Sequence, residues 1–444
     1  MSLPELVASH WKCNSAGELL IGGMLVSPLA LRHGTPVFMY DRNIVERKYK
    51  ILRDALPQRF AVSYSVKANP NPTFLKFFLQ KGCGLEVASW GEFYQARSAG
   101  CPAQNILFAG PGKTEAELEL VIAQGIGEIH AESELEVERI SAISRKLDVR
   151  TRVAVRVNPT DVEEGGAMRM GGKSAPFGVD EERLDSILHL IAHNPHLDFR
   201  GIHLFVGTQI LDSQLLLEQY KNGLDIARHA AALTGIPVGV LDFGGGLGIP
   251  YFPGDPQLDL NRLREGLAEL MIGIEKEECF ADTKFMVEPG RFLVGEAGIY
   301  VTQINDIKTS RGKKYLILDG GMNHHLAASG NLGQVIKRNF PMAVVGRLDA
   351  TPTETVEVVG PLCTPLDTLG RSVQLPAPVI GDLIGIFQSG AYARSASPLG
   401  FLSHPTPPEV WIENNSDFLI RRRGGPEDSL RDVQPVDAVV ESAL

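Results

Sequence analysis

Ser63-Tyr64-Ser65-Val66-Lys67-Ala68-Asn69-Pro70 is the stretch whose reading decides the fold. Its first residues alternate like a strand, and Asn69-Pro70-Asn71-Pro72 then stops the extended backbone. A lysine therefore stands where a strand ends. In closed barrels of alternating strands and helices, that end carries the chemistry. A desolvated lysine there can act as an amine nucleophile and form a Schiff base with a carbonyl. Taken alone, Lys67 reads more simply as a solvated strand-end residue, so its neighbourhood has to decide.

Outward from this stretch, residues from about 60 to 290 alternate short β-rich runs with helical ones. The pattern predicts strands at Val62–Lys67, Leu85–Ser89, Ile106–Ala109, Glu128–Glu132, Arg152–Asn158, Phe199–Phe205, Val238–Phe243 and Lys284–Glu288. Helices between them open on candidate capping boxes, Ser89 with Glu92, Thr114 with Glu117 and Ser133 with Glu136. Eight strand–helix units in one run predict an α/β fold, a closed (β/α)8 TIM barrel over residues 34–291. After Arg291 the helices stop. Ile299–Ile307, Lys314–Leu318, Thr355–Val359, Leu383–Phe387, Val410–Glu413 and Phe418–Arg421 read as strands of a C-terminal all-β domain. Residues 1–33 and 292–444 are expected to share it, with Glu18-Leu19-Leu20-Ile21-Gly22-Gly23 supplying one more strand of the same sheet. Thr160–Ser174, rich in glycine and methionine, reads as an active-site loop after the fifth strand.

Composition narrows the class. The chain has 444 residues, enough for a barrel of about 250 and a second domain. Its net charge of −10 argues against a nucleic-acid partner. The cysteines (Cys13, Cys83, Cys101, Cys279, Cys363) form no C-x-x-C pair, so neither a metal site nor a disulfide framework is expected. The N-terminus lacks the basic and apolar segments of a signal peptide, and no apolar run approaches the length of a membrane span. These features predict a cytoplasmic protein without a membrane or nucleic-acid partner.

Four further groups of residues bear on the chemistry. Asp242-Phe243-Gly244-Gly245-Gly246-Leu247-Gly248 follows the seventh strand, a usual phosphate position in barrels, although a flexible turn would look the same. Glu288-Pro289-Gly290-Arg291 closes the eighth. A carboxylate there can keep a pyridine ring protonated, and the arginine can clamp an anion; a helix-start ion pair is the plainer reading. Gly360-Pro361-Leu362-Cys363-Thr364-Pro365-Leu366-Asp367 and Gly390-Ala391-Tyr392 belong to the β region. An isolated cysteine is more often a small buried hydrophobe than a catalyst. His324 and His325 are adjacent and read as structural.

Taken in order, these motifs resemble the fold-type III pyridoxal-phosphate decarboxylases, the group of diaminopimelate and ornithine decarboxylases. Gly34-Thr35-Pro36, Ser65–Asn69, Val155-Arg156-Val157-Asn158-Pro159, Lys173…Phe177-Gly178, Gly207-Thr208-Gln209, the triple glycine, Glu288–Arg291, Cys363…Asp367 and Gly390-Ala391-Tyr392 carry the likeness over nearly the whole chain. The resemblance implies that the cofactor is pyridoxal phosphate, held as a Schiff base on Lys67. Gly245, Gly246, Thr208, Arg291 and Tyr392 would hold its phosphate, Phe205 would stack on its ring, and Glu288 would pair with its pyridinium nitrogen. Arg156, Thr364 and Asp367 would face the substrate. Cys363 would arrive from the second subunit of a head-to-tail homodimer and reprotonate the carbanion.

The departures from the family pattern carry their own information. The usual His-x-Gly-Ser is Phe205-Val206-Gly207-Thr208 here, and the usual Leu-Asp-x-x-Ser is Leu85-Glu86-Val87-Ala88-Ser89. After the cysteine the family usually places an acid that reads a distal ammonium; this chain places Thr364. Losing a paired charge costs roughly 2–5 kcal/mol of recognition, which disfavours a free diamino acid. The loop Gly165-Gly166-Ala167-Met168-Arg169-Met170-Gly171-Gly172-Lys173 is similar to the exosortase-associated and butirosin-pathway branch. That branch implies an amino-acid substrate tethered to an acyl carrier protein, for which Arg421-Arg422-Arg423 is a candidate basic docking patch beside the plainer reading of a solvated strand end. The main expectation is a carboxy-lyase. The alternatives are a diaminopimelate or other free-amino-acid decarboxylase, a racemase, which Glu288 argues against, and a cofactor-free regulatory homologue, which Lys67 argues against.

Overall fold

Short runs of branched and aromatic residues, each too apolar to face water on either side, make the parallel strands of the first unit. In the computed structural model, which describes residues 3–160, 168–169, 174–205, 207–332, 334 and 336–434, these are β1 (Phe60–Ser65), β2 (Gly84–Val87), β3 (Ile106–Phe108), β4 (Glu128–Ala131), β5 (Thr151–Asn158), β6 (Leu197–Leu204), β7 (Val240–Asp242) and β8 (Lys284–Val287). Each pairs in parallel with the next, and β8 pairs with β1 through Phe285–Phe60, Met286–Ala61 and Val287–Val62. The barrel is closed, as the eightfold alternation predicted, and so keeps no free strand edge. Leu107, Val240 and Met286 meet inside it with Ala61. Gly201 carries a bulge in β6, where a Cβ would lie 1.9 Å from the Val240 carbonyl oxygen, so no larger residue fits.

Helices alternate with the strands: α1 (Pro72–Gln80), α2 (Trp90–Ser98), α3 (Glu115–Ala123), α4 (Glu134–Lys146), α5 (Leu184–Ala192), α6 (Ser213–Thr234), α7 (Leu260–Ile274) and the single turn α8 (Arg291–Val294). Asn71 starts α1 by accepting the Thr73 N–H, so the Asn-Pro-Asn-Pro run both ends a strand and caps a helix. Of the three expected capping boxes, one closes fully, Thr114 with Glu117. Ser89 and Ser133 accept their N–H groups, but Glu92 turns to the Ala88 N–H at 2.8 Å and Glu136 to buried Lys113 at 2.6 Å. A nearby cation outcompetes the helix end for the Glu136 carboxylate.

The second unit takes residues 3–42, 298–389 and the described residues from Ala396 on; Asn43–Ala297 and Gly390–Ser395 form the first. The expected boundaries of 34–291 therefore shift at both ends. Val37–Asp41, expected in the barrel, pairs with the long strand Gly298–Ser310 and with Glu409–Glu413. The sheet runs Thr368–Leu375, Glu354–Val359, Lys313–Leu318, Gly298–Ser310, Val37–Asp41, Glu409–Glu413, Ser416–Arg421, with Leu383–Ile386 and Met342–Val344 branching from the long strand. The segment around Glu18–Gly23 departs from expectation. Leu19–Ile21 pairs with Lys12–Cys13 and Met24–Leu25 in a small separate sheet, because Gly22 and Gly23, both at positive φ, turn the chain back on itself.

Within the first unit Lys48, on the helix Arg42–Ala55, pairs with Glu296, and both side chains are buried. Removing one partner of such a pair leaves an uncompensated charge. Lys48→Met is expected to cost about 3–5 kcal/mol in chemical denaturation, with Lys48→Met/Glu296→Leu recovering most of it; a single variant as stable as the parent would show that the pair contributes nothing.

Candidate active site

β1 ends at Ser65, two residues earlier than the expected strand end at Lys67, and a 3-10 turn, Val66–Ala68, carries the lysine. Two bonds fix this turn within the first unit: the Tyr392 N–H donates to the Ala68 carbonyl at 2.8 Å, and Asn69 Nδ2 donates to the Gly390 carbonyl at 3.1 Å. A Cβ on Gly290 would come within 2.8 Å of the Ala68 Cβ, so only glycine lets the segment after β8 pack here.

Lys67 Nζ lies 3.1 Å from Glu86 Oε1 at the end of β2, while Glu86 Oε2 accepts the Ser65 hydroxyl at 2.5 Å. The lysine side chain is 38% exposed and the glutamate 1%, so an accessible amine rests on a buried anion. Burial alone would lower the Lys67 pKa, but Glu86, then Tyr392 and Glu288, hold the ammonium above its ordinary range. The Phe205 ring lies 5.7 Å from Nζ.

Glu288 follows β8 and is buried among His203 of β6, His130 of β4 and Asp242 of β7; one ligand-capable atom of each lies within 4.8 Å of the others. His203 Nε2 is 3.3 Å from Glu288 Oε2, and the two histidine rings pack with centroids 4.3 Å apart. Glu288 Oε1 has no hydrogen-bond partner among the described residues. Burial works against its ionisation, but His203, His130 and Lys67 hold its pKa well below the usual carboxylate range. Asp242 is the opposite case. Burial, with Glu288 beside it, pushes its carboxyl well above that range, so of this acid pair Glu288 carries the charge.

Around the lysine, loops after β6 and β7 interlock. The Ile210 N–H donates to the Gly246 carbonyl and the Gly248 N–H to the Ile210 carbonyl, both at 2.9 Å. Gly246 has φ +96°, and a Cβ on Gly245 would come within 2.7 Å of the Glu288 carbonyl oxygen. Thr208 is half-buried in a two-residue strand, Gly207–Thr208, that pairs with Met168–Arg169. Most of the expected loop, residues 161–167 and 170–173 with Lys173 included, lies outside the described residues. Arg291 Nη1 donates to the Tyr251 hydroxyl at 2.8 Å, its guanidinium lies 4.7 Å from the Tyr392 ring, and its buried Nε is unpartnered among the described residues.

Arg156, expected at the substrate, is buried, with one guanidinium nitrogen taken by Glu132 and Nη2 without a hydrogen-bond partner among the described residues. Its Nη1 donates to Glu132 Oε1 at 2.8 Å, and its guanidinium faces Phe177 at 5.2 Å and Phe205 at 5.8 Å. The Glu132 carboxylate also accepts the Gly110 N–H at 2.8 Å and the Gly178 N–H at 3.0 Å, tying together loops after β3, β4 and β5. Arg156 therefore backs the Phe205 ring.

Cys363, Thr364 and Asp367 belong to the second unit. The Cys363 thiol is exposed and Thr364 half-buried. Asp367 corrects the expectation of a substrate contact. Its buried carboxylate accepts the Met322 N–H at 2.7 Å and the Leu362 N–H at 2.9 Å, which closes the loop. Arg421-Arg422-Arg423 is corrected likewise: Arg421 pairs with Glu409, Arg422 with Asp428 at 2.9 Å, and Arg423 donates to the Pro36 carbonyl at 3.0 Å. As the sequence suggested, His324 and His325 are structural, bonded to Tyr300 and Ser389.

The site suits a pyridoxal cofactor on the strength of its own atoms. An accessible amine, a buried ionised carboxylate with one oxygen unpartnered, and a glycine loop with an arginine beside it match an aldehyde, a pyridinium nitrogen and a phosphate. Sequence reasoning gave no role to Glu86, Glu132, His130, His203 or Asp242. Glu86 had one signal, its departure from the usual aspartate.

Comparison with known proteins agrees with this geometry. The family described as "Pyridoxal-dependent decarboxylase, pyridoxal binding domain" matches residues 42–295. An L-glutamyl-[BtrI acyl-carrier protein] decarboxylase from Niallia circulans is 39% identical over 409 residues, covering 91% of this chain and 94% of that protein. A diaminopimelate decarboxylase from Aquifex aeolicus is 32% identical, covering 92% and 93%. The crystal structure of a Helicobacter pylori diaminopimelate decarboxylase complexed with L-lysine superposes with a TM-score of 0.82 at 29% identity, covering 91% of this chain and 98% of that one.

Burial, only partly opposed by Glu288, pushes His203 down to about 4, so the fold holds this imidazole neutral. An unfolded histidine takes up a proton near pH 6.5. The stability that comes from keeping it neutral is therefore complete above about pH 6.5 and lost as pH falls towards 4. His203→Gln should flatten that acid-side loss in a thermal-melt series by about 1.4 kcal/mol per pH unit of this window; an unchanged slope would contradict the assignment.

Proposed function

This chain belongs to the fold-type III pyridoxal-dependent decarboxylases, and from that premise we propose that it removes the α-carboxylate of an amino acid tethered through its side chain to an acyl carrier protein. One observation carries the substrate reading. The residue after Cys363 is Thr364, and the nearby Asp367 carboxylate is consumed by backbone N–H groups, so this loop offers no free acid for a distal ammonium. A decarboxylase needs its substrate's α-amine and α-carboxylate free, which leaves the side chain for a tether. The Niallia relative, by its name, acts on a carrier-bound glutamyl group.

When bound, the cofactor supplies an electron-withdrawing ring that accepts the electron pair left by departing carbon dioxide. In this reading Lys67 would hold its aldehyde, with Glu86 balancing the charge of the lysine amine. Glu288 would pair with the ring nitrogen and keep it protonated. Gly245, Gly246, Thr208, Arg291 and Tyr392 bind the phosphate, and Phe205, backed by Arg156, covers the ring face. Cys363 of the partner subunit of a head-to-tail homodimer returns a proton to the α-carbon, and Thr364 lies beside the substrate's tether. No described helix is long and apolar enough to cross a membrane. The free cysteines fit a reducing cytoplasm.

Carbon dioxide release should be faster from a γ-glutamyl thioester of an acyl carrier protein than from free diaminopimelate, and Thr364→Glu should shift the preference towards diaminopimelate. Faster release from the free diamino acid by the parent chain would overturn the tethered reading. Cys363→Ala should slow turnover and divert product towards transamination, since a misplaced proton returns to the cofactor carbon; unchanged partitioning, read by mass spectrometry, would remove Cys363 from its role.

A further inference from the structure

An arginine meets a phosphate with parallel N–H groups only when its planar fork is turned to face it, and its long stem carries rotamer freedom that binding has to freeze. At Arg291 a tyrosine sets that turn in advance. Arg291 Nη1 donates to the Tyr251 hydroxyl at 2.8 Å. The guanidinium lies 5.4 Å from the centre of the Tyr251 ring and 4.7 Å from that of Tyr392, so two aromatic rings accompany one cation. Because the guanidinium is rigid, fixing Nη1 and the ring plane sets the direction of its remaining N–H groups. One of these, on Nε, is buried and has no partner among the described residues. A buried donor kept without an acceptor is costly unless a ligand supplies one.

Tyr251 is itself held in place. It is buried, and it lies on the stretch that continues the glycine loop beyond Gly248. Upstream, the Gln209 side-chain amide bonds the Ile249 backbone both ways: Nε2 donates to the carbonyl, and Oε1 accepts the N–H at 3.2 Å. Downstream, Asp255 Oδ2 accepts the Tyr251 and Phe252 N–H groups, each at 3.1 Å. A Cβ on Gly295 would come within 2.5 Å of Ile249 Cδ1, so the turn that begins at Arg291 packs directly on this stretch. The glycine loop and the arginine are thereby registered to each other, although Tyr251 and Arg291 stand 40 residues apart. Packing alone would be served by a phenylalanine; the bond to the cation needs the hydroxyl.

We propose that Tyr251 is a positioning residue for cofactor binding: its hydroxyl holds the Arg291 guanidinium in the orientation that the phosphate requires, while Gln209 and Asp255 hold the stretch that presents it. This rests on the reading of Arg291 as a phosphate ligand and adds to it the group that presets the clamp. Tyr251 acts through Arg291 and needs no contact with the phosphate.

The test titrates the cofactor-free parent, Tyr251→Phe, Arg291→Met and the double variant with two ligands, pyridoxal phosphate and pyridoxal, which has the same ring and aldehyde without the phosphate. Absorbance reads the dissociation constants. Tyr251→Phe keeps the buried ring, so it should raise the constant for pyridoxal phosphate on the order of tenfold and leave that for pyridoxal unchanged. Arg291→Met should show the same selectivity with a larger loss. The double variant should lose no more than Arg291→Met alone, since the hydroxyl has nothing left to position. A parent-like constant for pyridoxal phosphate in Tyr251→Phe, or equal losses on both ligands, would overturn the positioning role while leaving Arg291 as a phosphate ligand. Additive losses in the double variant would overturn it too, because the hydroxyl would then act independently of the arginine. If Arg291→Met itself binds pyridoxal phosphate like the parent, or loses both ligands equally, the phosphate reading of Arg291 fails and the role of Tyr251 with it.

Discussion

A carboxylate that stays charged inside a barrel is the constraint on which the rest of this site depends. Burying an ion costs several kcal/mol unless partners compensate it. Glu288 meets that cost with the His203 imidazole 3.3 Å away and a lysine ammonium among its neighbours, while Asp242, equally buried, stays protonated. The pair splits because His203 Nε2 approaches Glu288 at 3.3 Å, whereas burial and the adjacent Glu288 anion raise Asp242 despite the Gly244 N–H at 2.8 Å. Neighbouring features serve this arrangement. The tight turn after β7 needs glycines because backbone from other loops runs within 3 Å of where side chains would start, and Gly290 after β8 leaves room for the Ala68 methyl. A second buried carboxylate, Glu86, places a counter-charge 3.1 Å from the lysine amine.

Much of this was legible in the sequence, for local reasons. Strand ends marked by Asn-Pro or Gly-Gly-Gly punctuation announce themselves, so Lys67, Gly245, Gly246 and Glu288 could be placed at strand ends before any contact was known. The eightfold alternation fixed the barrel for the same reason. What stayed hidden depended on contacts distant in sequence. Asp367 looked available to a substrate because nothing in its own loop reveals that the Met322 N–H, 45 residues upstream, takes its carboxylate. Arg156 was expected to face the substrate, and nothing in its own strand announces that Glu132, just after β4, takes its Nη1. The His130–His203–Asp242–Glu288 cluster draws on three strands and the residue after a fourth, and has no linear signature.

The second unit shows the same division. Its long strands follow simple alternation and were readable, whereas Thr368–Leu375 contains Gly370 and a positive-φ Ser372 that break the pattern. Val37–Asp41 reads as the entry to the barrel yet pairs with Gly298–Ser310, because five consecutive buried residues suit a strand held between two neighbours. Arginine count misled as well. Three consecutive arginines suggested a docking patch, but hairpin and turn acids hold two of them.

The central claim is that Lys67, set on Glu86 and facing the charged Glu288, is the residue that holds pyridoxal phosphate. Borohydride reduction of the cofactor-loaded protein, followed by peptide mass spectrometry, tests it directly. The account predicts one pyridoxyl-phosphate group per chain, on the peptide containing Lys67, and none on the Lys67→Ala variant. A label on any other lysine, or no label on a protein supplied with excess cofactor, would contradict it.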